Sequence, residues 1–509
     1  MWSVANYKLT LQLCYEMSNH HLPSNTGQFH NPHQIMNTPD MLPPHAPLKK
    51  AKTGSAADVG PIKIDSALLC ATLVAALGGL LFGFDTIVIS GCQTQLKALF
   101  QLDSFQQGFM TASAIIGTVI GALFAARPGD LYGRRDSLKV AGALYIICAV
   151  GCALSWGFWP LITFRIIGGV AVGASSVLGP LYLAEISPAQ WRGRLVAFFQ
   201  LNIVIGVLLA FVSNFGIGTL GFGETEWRWK LGVQALPAVA FFILLFFIPR
   251  SPRWLMMKGV EGEAATVLQS LGTLDVPAQM AAIRESLHQE FRGKIEPLFC
   301  RAHAKPIFLA ITVAMFNQLD GINGLMYYLN PIFTMAGFTK VSGDMQSVVV
   351  GIANLLATMV GMVIIDRGGR KPLLIWGAVG TGVTLAGIAW VFNGTANHGM
   401  LLWLLVGYII CHGFGQGAVI WVYISEVFPN AVRAKGQTLG SSTHWFMAMI
   451  ISWTFPIFAK NAGEPHAGAP FMFFAVMMVV QIFVVWWFYP ETKRIPLEDM
   501  EKKIEKIHQ

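Results

Sequence analysis

The chain has 509 residues, 54% of them hydrophobic and only 12% charged, with a mean hydropathy of +0.55. Water-soluble domains carry about 25% charged residues, so half that fraction over so long a chain excludes a soluble protein and predicts a polytopic membrane protein. At about 20 to 25 residues per helical crossing, twelve crossings use about 240 to 300 residues and leave the rest for loops and tails. The seven cysteines, Cys14, Cys70, Cys92, Cys148, Cys152, Cys300 and Cys411, are odd in number and lie mostly in apolar runs. They read as small core hydrophobes, not as a disulfide framework.

Residues 1–62 are a different material, with His20, His21, Asn25, Asn31, Pro32, His33, Pro39, Pro43 and Pro44 among few aliphatics. That composition predicts a disordered extension. No charged stub, apolar segment and small-residue cleavage site occur together there, so no cleaved signal peptide is expected. Within 63–249 apolar stretches predict six spans, near 66–90, 106–126, 138–158, 161–183, 195–219 and 231–248. A polar linker, 250–304, is expected to form short amphipathic helices. Six more spans follow within 305–490, near 306–336, 345–365, 372–392, 401–424, 437–459 and 469–489. The tail, 491–509, carries Leu497, Met500, Ile504 and Ile507 at helical spacing.

Twelve spans put both termini on one side, and 29 of the 35 lysines and arginines fall on that side. Only Lys97, Arg228, Lys230, Lys340 and Lys460 fall opposite, and Arg165 alone lies inside a span. The positive-inside rule then makes both termini cytoplasmic. The net charge of +8 is thereby a topology signal and calls for no nucleic-acid partner.

Two motifs recur. Asp130-Leu131-Tyr132-Gly133-Arg134-Arg135 follows the second span, and Asp366-Arg367-Gly368-Gly369-Arg370-Lys371 follows the eighth, 236 residues later. Glu185-Ile186-Ser187-Pro188, with Arg192 seven residues after the acid, ends the fourth span; Glu426-Val427-Phe428-Pro429, with Arg433 at the same distance, ends the tenth, 241 residues later. Two unrelated motifs at nearly one separation imply a duplicated six-helix unit, an architecture of transporters with parallel repeats.

These loops, with Pro180-Leu181-Tyr182-Leu183-Ala184-Glu185, Ser251-Pro252-Arg253-Trp254-Leu255, Gly321-Ile322-Asn323, Tyr327-Tyr328, Trp421 ahead of Ser425-Glu426, and Pro490-Glu491-Thr492-Lys493, resemble the sugar porter family of the major facilitator superfamily. The match runs in order over 65–495 and is most similar to the bacterial proton-coupled pentose and hexose symporters. The resemblance implies an all-α membrane protein of twelve transmembrane helices in two pseudo-symmetric six-helix bundles. It implies a transporter, not an enzyme, that imports a monosaccharide or polyol with a proton by alternating access, functions as a monomer and sits in the bacterial inner membrane. No H-E-x-x-H, paired C-x-x-C or G-x-x-x-x-G-K-[ST] occurs, so no metal, cofactor or ATP is expected. Asn393-Gly394-Thr395 is a glycosylation sequon of weak information content.

An acid and an arginine seven residues apart at a helix end can meet charges from neighbouring helix ends. In the family such groups latch the two halves, and the resemblance assigns this role to Asp130, Arg134, Arg135, Glu185 and Arg192, and to Asp366, Arg370, Glu426 and Arg433; the alternative is ordinary topology charges. Arg250 stands where the family has an acid, which is expected to leave Arg253 short of a partner.

Asp85 in the first span is costly in hydrocarbon unless protonated or paired, and Arg165 in the fourth is the one intramembrane arginine. The pair either titrates to couple proton flow or ties two helices together; the resemblance implies coupling. Asp320 in the seventh span is a second intramembrane acid with no family role, either protonatable, a substrate acceptor or, as favoured here, a polar group facing a water-filled path. Sugar recognition needs neutral donors and acceptors with flat apolar walls. Gln200, Asn317, Gln318, Asn323 and Trp421 match family positions that bond sugar hydroxyls, Phe82, Tyr327 and Trp445 match aromatic walls, and His444 replaces a glutamine. Each amide alone also reads as helix-to-helix glue. Asn317 stands where a longer glutamine is usual, Val207 where some relatives have a second glutamine and Ala418 where a proline is common, so the family's sugar preference does not carry over.

Overall fold

The computed structural model describes residues 66–493 apart from 189, 293–295, 395–397, 430–431 and 463–466. The extension 1–62, Thr395 of the sequon and the tail beyond Lys493 lie outside the described residues. All regular structure among the described residues is helical, and nine helices are long and apolar enough to cross a membrane. The remaining three crossings are the interrupted or polar ones. The sixth is split into Glu226–Gly232 and Ala235–Leu244. The seventh is cut into Ala304–Leu319, Ile322–Tyr327 and Leu329–Met335. The eleventh, Arg433–Ala462, is one helix of 30 residues diluted by Gln437, Ser441, Ser442, Thr443 and His444.

Several ends differ from the hydropathy reading for local reasons. The first span, Ser66–Val88, continues through a tight 3-10 turn at Ile89–Cys92 into Gln93–Leu99. The second, Ser104–Phe124, starts where Asp103 and Gln106 exchange side-chain-to-backbone hydrogen bonds, a capping box that satisfies two orphan donors. The tenth runs as Leu401–His412, a π-helical turn Gly413–Gly417, and Ala418–Val427. Ala418, where the sequence resemblance implies a proline, follows a π turn that supplies an irregularity in this helix. Between the halves the polar stretch carries Pro252–Met257, Glu261–Ser270 and Val276–Arg292.

Helices close on one another through glycine. In a bilayer the lipid offers no hydrophobic drive between spans, so backbones must approach closely to gain contact. The second and fourth spans do this with Gly117 and Gly121 facing Gly169 and Gly173: a Cβ at any of the four would overlap a carbonyl oxygen of the other helix. The first and fifth meet in the same way at Gly83, against Ile203, and Gly206, against Leu80.

Buried apolar side chains form three clusters. The largest runs through both halves at the face away from the motif loops, from Phe84 and Phe211 to Tyr328, Phe455 and Met478. At the base-rich face each half has its own, around Tyr145 and Tyr182 in the first and around Tyr423 and Tyr489 in the second. The halves are therefore packed together at the far face and separately cored at the base-rich one. Phe124, Trp376, Val383, Trp403 and Trp486 are among the large apolar residues left exposed, which is the outward face a bilayer covers.

The sequence repeat is also a structural one. Gly133 and Gly369 precede the third and ninth spans at φ +93° and +84°, where a side chain is strained. The following arginines fold back alike, Arg134 Nη1 donating to Gly129 O at 3.0 Å and Arg370 Nη1 to Ile365 O at 3.2 Å. Tyr182 donates to Pro249 O and Tyr423 to Pro490 O, a third correspondence between the halves.

Gly169→Val is expected to lower the thermal unfolding midpoint of the detergent-solubilised protein, because overpacking costs about 1 to 3 kcal/mol and the obstacle here is backbone. Gly193→Ala, which meets no atom within 4 Å, is the control expected to leave the midpoint unchanged.

Candidate functional site

The first span holds Asp85 and the fourth holds Arg165, each 1% exposed. Gly168, one turn beyond Arg165, makes the room, since a Cβ there would overlap Cys148 Sγ and lie 3.5 Å from Asp85 Oδ1. The pair is loose. Arg165 Nη1 is 3.7 Å from Asp85 Oδ1 and donates to the Asp85 backbone oxygen at 3.2 Å. Among the described residues, Asp85 Oδ2 and Arg165 Nε and Nη2 have no hydrogen-bond partner. Buried charges with unfilled hydrogen bonds are costly; the Cys148 thiol, 3.7 Å from Asp85 Oδ1, is a further weak donor to the carboxylate. Tyr327, from the seventh span, is buried within hydrogen-bonding range of Thr86, the next residue.

The amides and aromatics meet in one chain of contacts. Asn323 donates to Gln318 Oε1 at 2.7 Å, Gln318 Nε2 donates to Asn317 Oδ1 at 3.0 Å, and the same nitrogen lies 3.3 Å from His444 Nδ1. The His444 ring stands 4.9 Å from Trp421 and 5.0 Å from Trp445, and Trp445 stands 5.7 Å from Phe82 of the other half. Seven of the expected sugar residues thus converge from the first, seventh, tenth and eleventh spans. Gln200, on the fifth span, is exposed, and among the described residues no hydrogen bond joins it to this group. The break at Gly321, with φ +89°, separates Asn317 and Gln318 from Asn323 and turns both sets to one side.

Asp320 corrects an expectation. It does not face an aqueous path: it is 0% exposed, with Oδ2 2.6 Å from His412 Nδ1 and Oδ1 accepting from Ile322 N at 3.0 Å.

At the base-rich face, Arg134 lies 3.0 Å from both Asp130 and Glu185, and Arg370 clamps Glu426 with two bonds of 2.8 and 3.1 Å. These pairs run within a half, not between halves. Arg135 bonds Asp136 and the Ile248 carbonyl, Arg192 is exposed, and Arg433 Nε and Nη2 have no hydrogen-bond partner among the described residues. The Asp366 side chain lies outside the described residues. Arg253 is not short of a partner, as expected from Arg250, but donates to Ser286 at 3.0 Å. Arg250 itself approaches Asp136 at 3.5 Å and Glu263 at 3.9 Å. In the second half the corresponding Glu491 accepts from the backbone of Arg370 and Lys371 at 3.0 and 3.1 Å. The first half reverses the signs, with the acid on the helix, Asp136, and the base on the loop.

Residues 71–504 match the family model described as sugar (and other) transporter. The chain belongs to that sugar transporter family. The transporter is 34% identical over 466 residues to the D-xylose-proton symporter of Escherichia coli, covering 84% of this chain and 94% of that one. It is 33% identical to the glucose transport protein of Synechocystis sp., covering 84% and 95%. Among solved structures it is similar to the inward-open conformation of the xylose transporter XylE from E. coli, with a TM-score of 0.76, 32% identity, and 86% and 99% of the two chains covered.

The transporter closes its far face with charges that sequence reasoning passed over. Lys230 of the sixth span is 0% exposed, with Nζ 2.8 Å from Glu226, 3.0 Å from Asp344 of the eighth and 3.2 Å from the Gly91 carbonyl. Lys340 reaches Glu226 at 2.9 Å, and Asn330 donates to Asp344 at 2.6 Å. The signal was present: Glu226 and Lys230, and Lys340 and Asp344, are both acid–base pairs four residues apart on the side with few charges. Removing one member of a buried pair costs about 3 to 5 kcal/mol by stranding the other.

Lys230→Met is therefore expected to part the halves at the far face. Spin labels at Leu220 and Val341, exposed on either side, should report a longer distance than in the parent; an unchanged distribution would remove the latch role.

Proposed function

We propose that this chain imports a monosaccharide, a hexose or pentose, or a polyol together with a proton by alternating access. The observation that carries the reading is the fully buried, incompletely bonded Asp85–Arg165 pair one helical turn from Phe82 in the wall of the amide and indole cluster. The D-xylose-proton and arabinose-proton symporters among its relatives support it. In this reading residues 63–249 and 305–490 are the rocking bundles, 250–304 is the linker over the cytoplasmic face, both termini are cytoplasmic, and the membrane is the bacterial inner membrane. The base-rich motifs latch the inner face when the outer one opens.

Each residue has a part. A proton arriving at Asp85 cancels its charge and frees Arg165 from it, which removes the electrostatic tie between the first and fourth spans. Asn317, Gln318, Asn323 and Trp421 exchange hydrogen bonds with sugar hydroxyls, Phe82 and Trp445 pack on the apolar ring faces, and His444 acts as a neutral bonding group. Closure around sugar and proton, then opening to the low-proton side, lets Asp85 ionise and re-engage Arg165. Alternating access needs the two states close in free energy, which suits latches made of several weak pairs.

Reconstituted into liposomes with a sugar panel, the protein is expected to accumulate its substrate uphill only under a proton gradient. Asp85→Asn should abolish accumulation and keep sugar counterflow. Accumulation that persists in Asp85→Asn would leave a uniporter or exchanger in which the acid is structural, and no flux with any sugar would favour a non-transporting receptor. Asn323→Ala should raise the sugar Kd about tenfold, the loss of about 1.4 kcal/mol that one hydrogen bond accounts for, as read by sugar quenching of tryptophan fluorescence.

A further inference from the structure

The second half contains its own buried acid–base pair, joining its first and fourth helices as Asp85 and Arg165 join those of the first half. Asp320 ends Ala304–Leu319 and is 0% exposed; His412 ends Leu401–His412 and its side chain is 11% exposed. Their 2.6 Å contact is short for a neutral hydrogen bond and fits a charge-assisted one. Tyr408, one turn before His412, donates to the Asp320 backbone oxygen at 3.1 Å and lies 3.4 Å from Oδ1.

The placement is mechanical as well as electrostatic. Oδ1 accepts the Ile322 amide across Gly321, so the carboxylate pins the break in the seventh span. His412 immediately precedes the π turn Gly413–Gly417, so the pair ties the irregular points of two helices together. Asn317, Gln318 and Asn323 flank the break. The other titratable groups facing the pair are Tyr408 on the tenth span and His444 on the eleventh; the twelfth span offers the apolar Phe474 ring beside Gly321. Among the described residues no lysine or arginine forms an ion pair with Asp320.

We propose that Asp320 and His412 form a second proton-binding site, which takes and releases a proton through His412 and thereby fixes or frees the break in the seventh span. The first pair cannot work this way on both sides, because arginine keeps its proton in proteins, whereas histidine changes charge between about pH 5 and 8. With one proton the pair is neutral overall; losing it leaves a lone buried carboxylate, gaining another leaves a lone buried cation, and each state favours a different water access. The proposal deepens the proton-coupled reading but is tested without sugar or transport.

The spin-label distance between Leu220 and Val341 is followed between about pH 5 and 8 in purified Asp85→Asn protein, where the first pair no longer titrates. A pH-dependent shift in the two-state populations is expected, and adding Asp320→Asn with His412→Gln, which keeps a neutral hydrogen bond and removes only the titration, should flatten it. His288→Gln, at an exposed histidine of the linker helix Val276–Arg292, in place of that double change should leave the shift intact. A distribution that does not move with pH in Asp85→Asn, or that moves equally in the neutral double variant, overturns the proposal. Failure of the uphill-accumulation experiment on Asp85 bears on the first pair alone.

Discussion

Burying a side-chain charge away from water costs several kcal/mol unless a partner or a proton cancels it, and the few charged residues of this chain are arranged under that constraint. The Lys230 group seals the far face with two acids around one fully buried cation. Arg165 stays inside with Asp85 as its counter-charge. Arg134 and Arg370 sit at helix starts with Glu185 and Glu426 beside them. Each place is a joint between helices, so cancelling or exposing the charge and moving the joint are one event. A soluble core held by apolar contacts alone has no such handle.

The glycines supply the other half of the arrangement. Where Gly117, Gly121, Gly169 and Gly173 bring backbones into contact, the second and fourth spans form a rigid pair. Where Gly321 takes φ +89° and Gly413–Gly417 forms a π turn, the seventh and tenth spans are interrupted instead. In the proposed cycle, rigid packing would let a half move as a body and local breaks would let the site change shape within it. Both uses come from the absence of a side chain, and hydropathy alone does not separate them.

Much of this was legible in the chain. Apolar runs located the spans, since length and hydropathy are what a bilayer demands, and the duplicated Asp130 and Asp366 loops announced the repeat that Gly133 and Gly369 then realise in matching backbone angles. Asp85 and Arg165 stood out because intramembrane charge is rare. The Lys230–Asp344 contact was hidden because a charge at a span end is indistinguishable from a solvated loop charge until packing buries it. His412 was hidden more deeply: it lies 92 residues from Asp320, in a run with no motif, and only the crossing of two helices joins them. Arg250 misled for a related reason, since the Ser286 that accepts from Arg253 and the Asp136 that faces Arg250 both lie on other elements.

The two halves have answered the same constraint with different chemistry. An Asp–Arg pair changes charge only at the acid, so its neutral state is the ionised pair and protonation leaves an unbalanced cation. An Asp–His pair reaches neutrality with one shared proton and departs from it in either direction. In the proposed symport that asymmetry gives the first half a single loaded state set by proton supply. In the second it ties charge to the geometry of a broken helix, because the carboxylate that meets His412 through Oδ2 also holds the Ile322 amide across Gly321 through Oδ1. A duplicated fold can therefore be symmetric in backbone and asymmetric in what each half senses, with the distinction carried by two residues, Arg165 and His412.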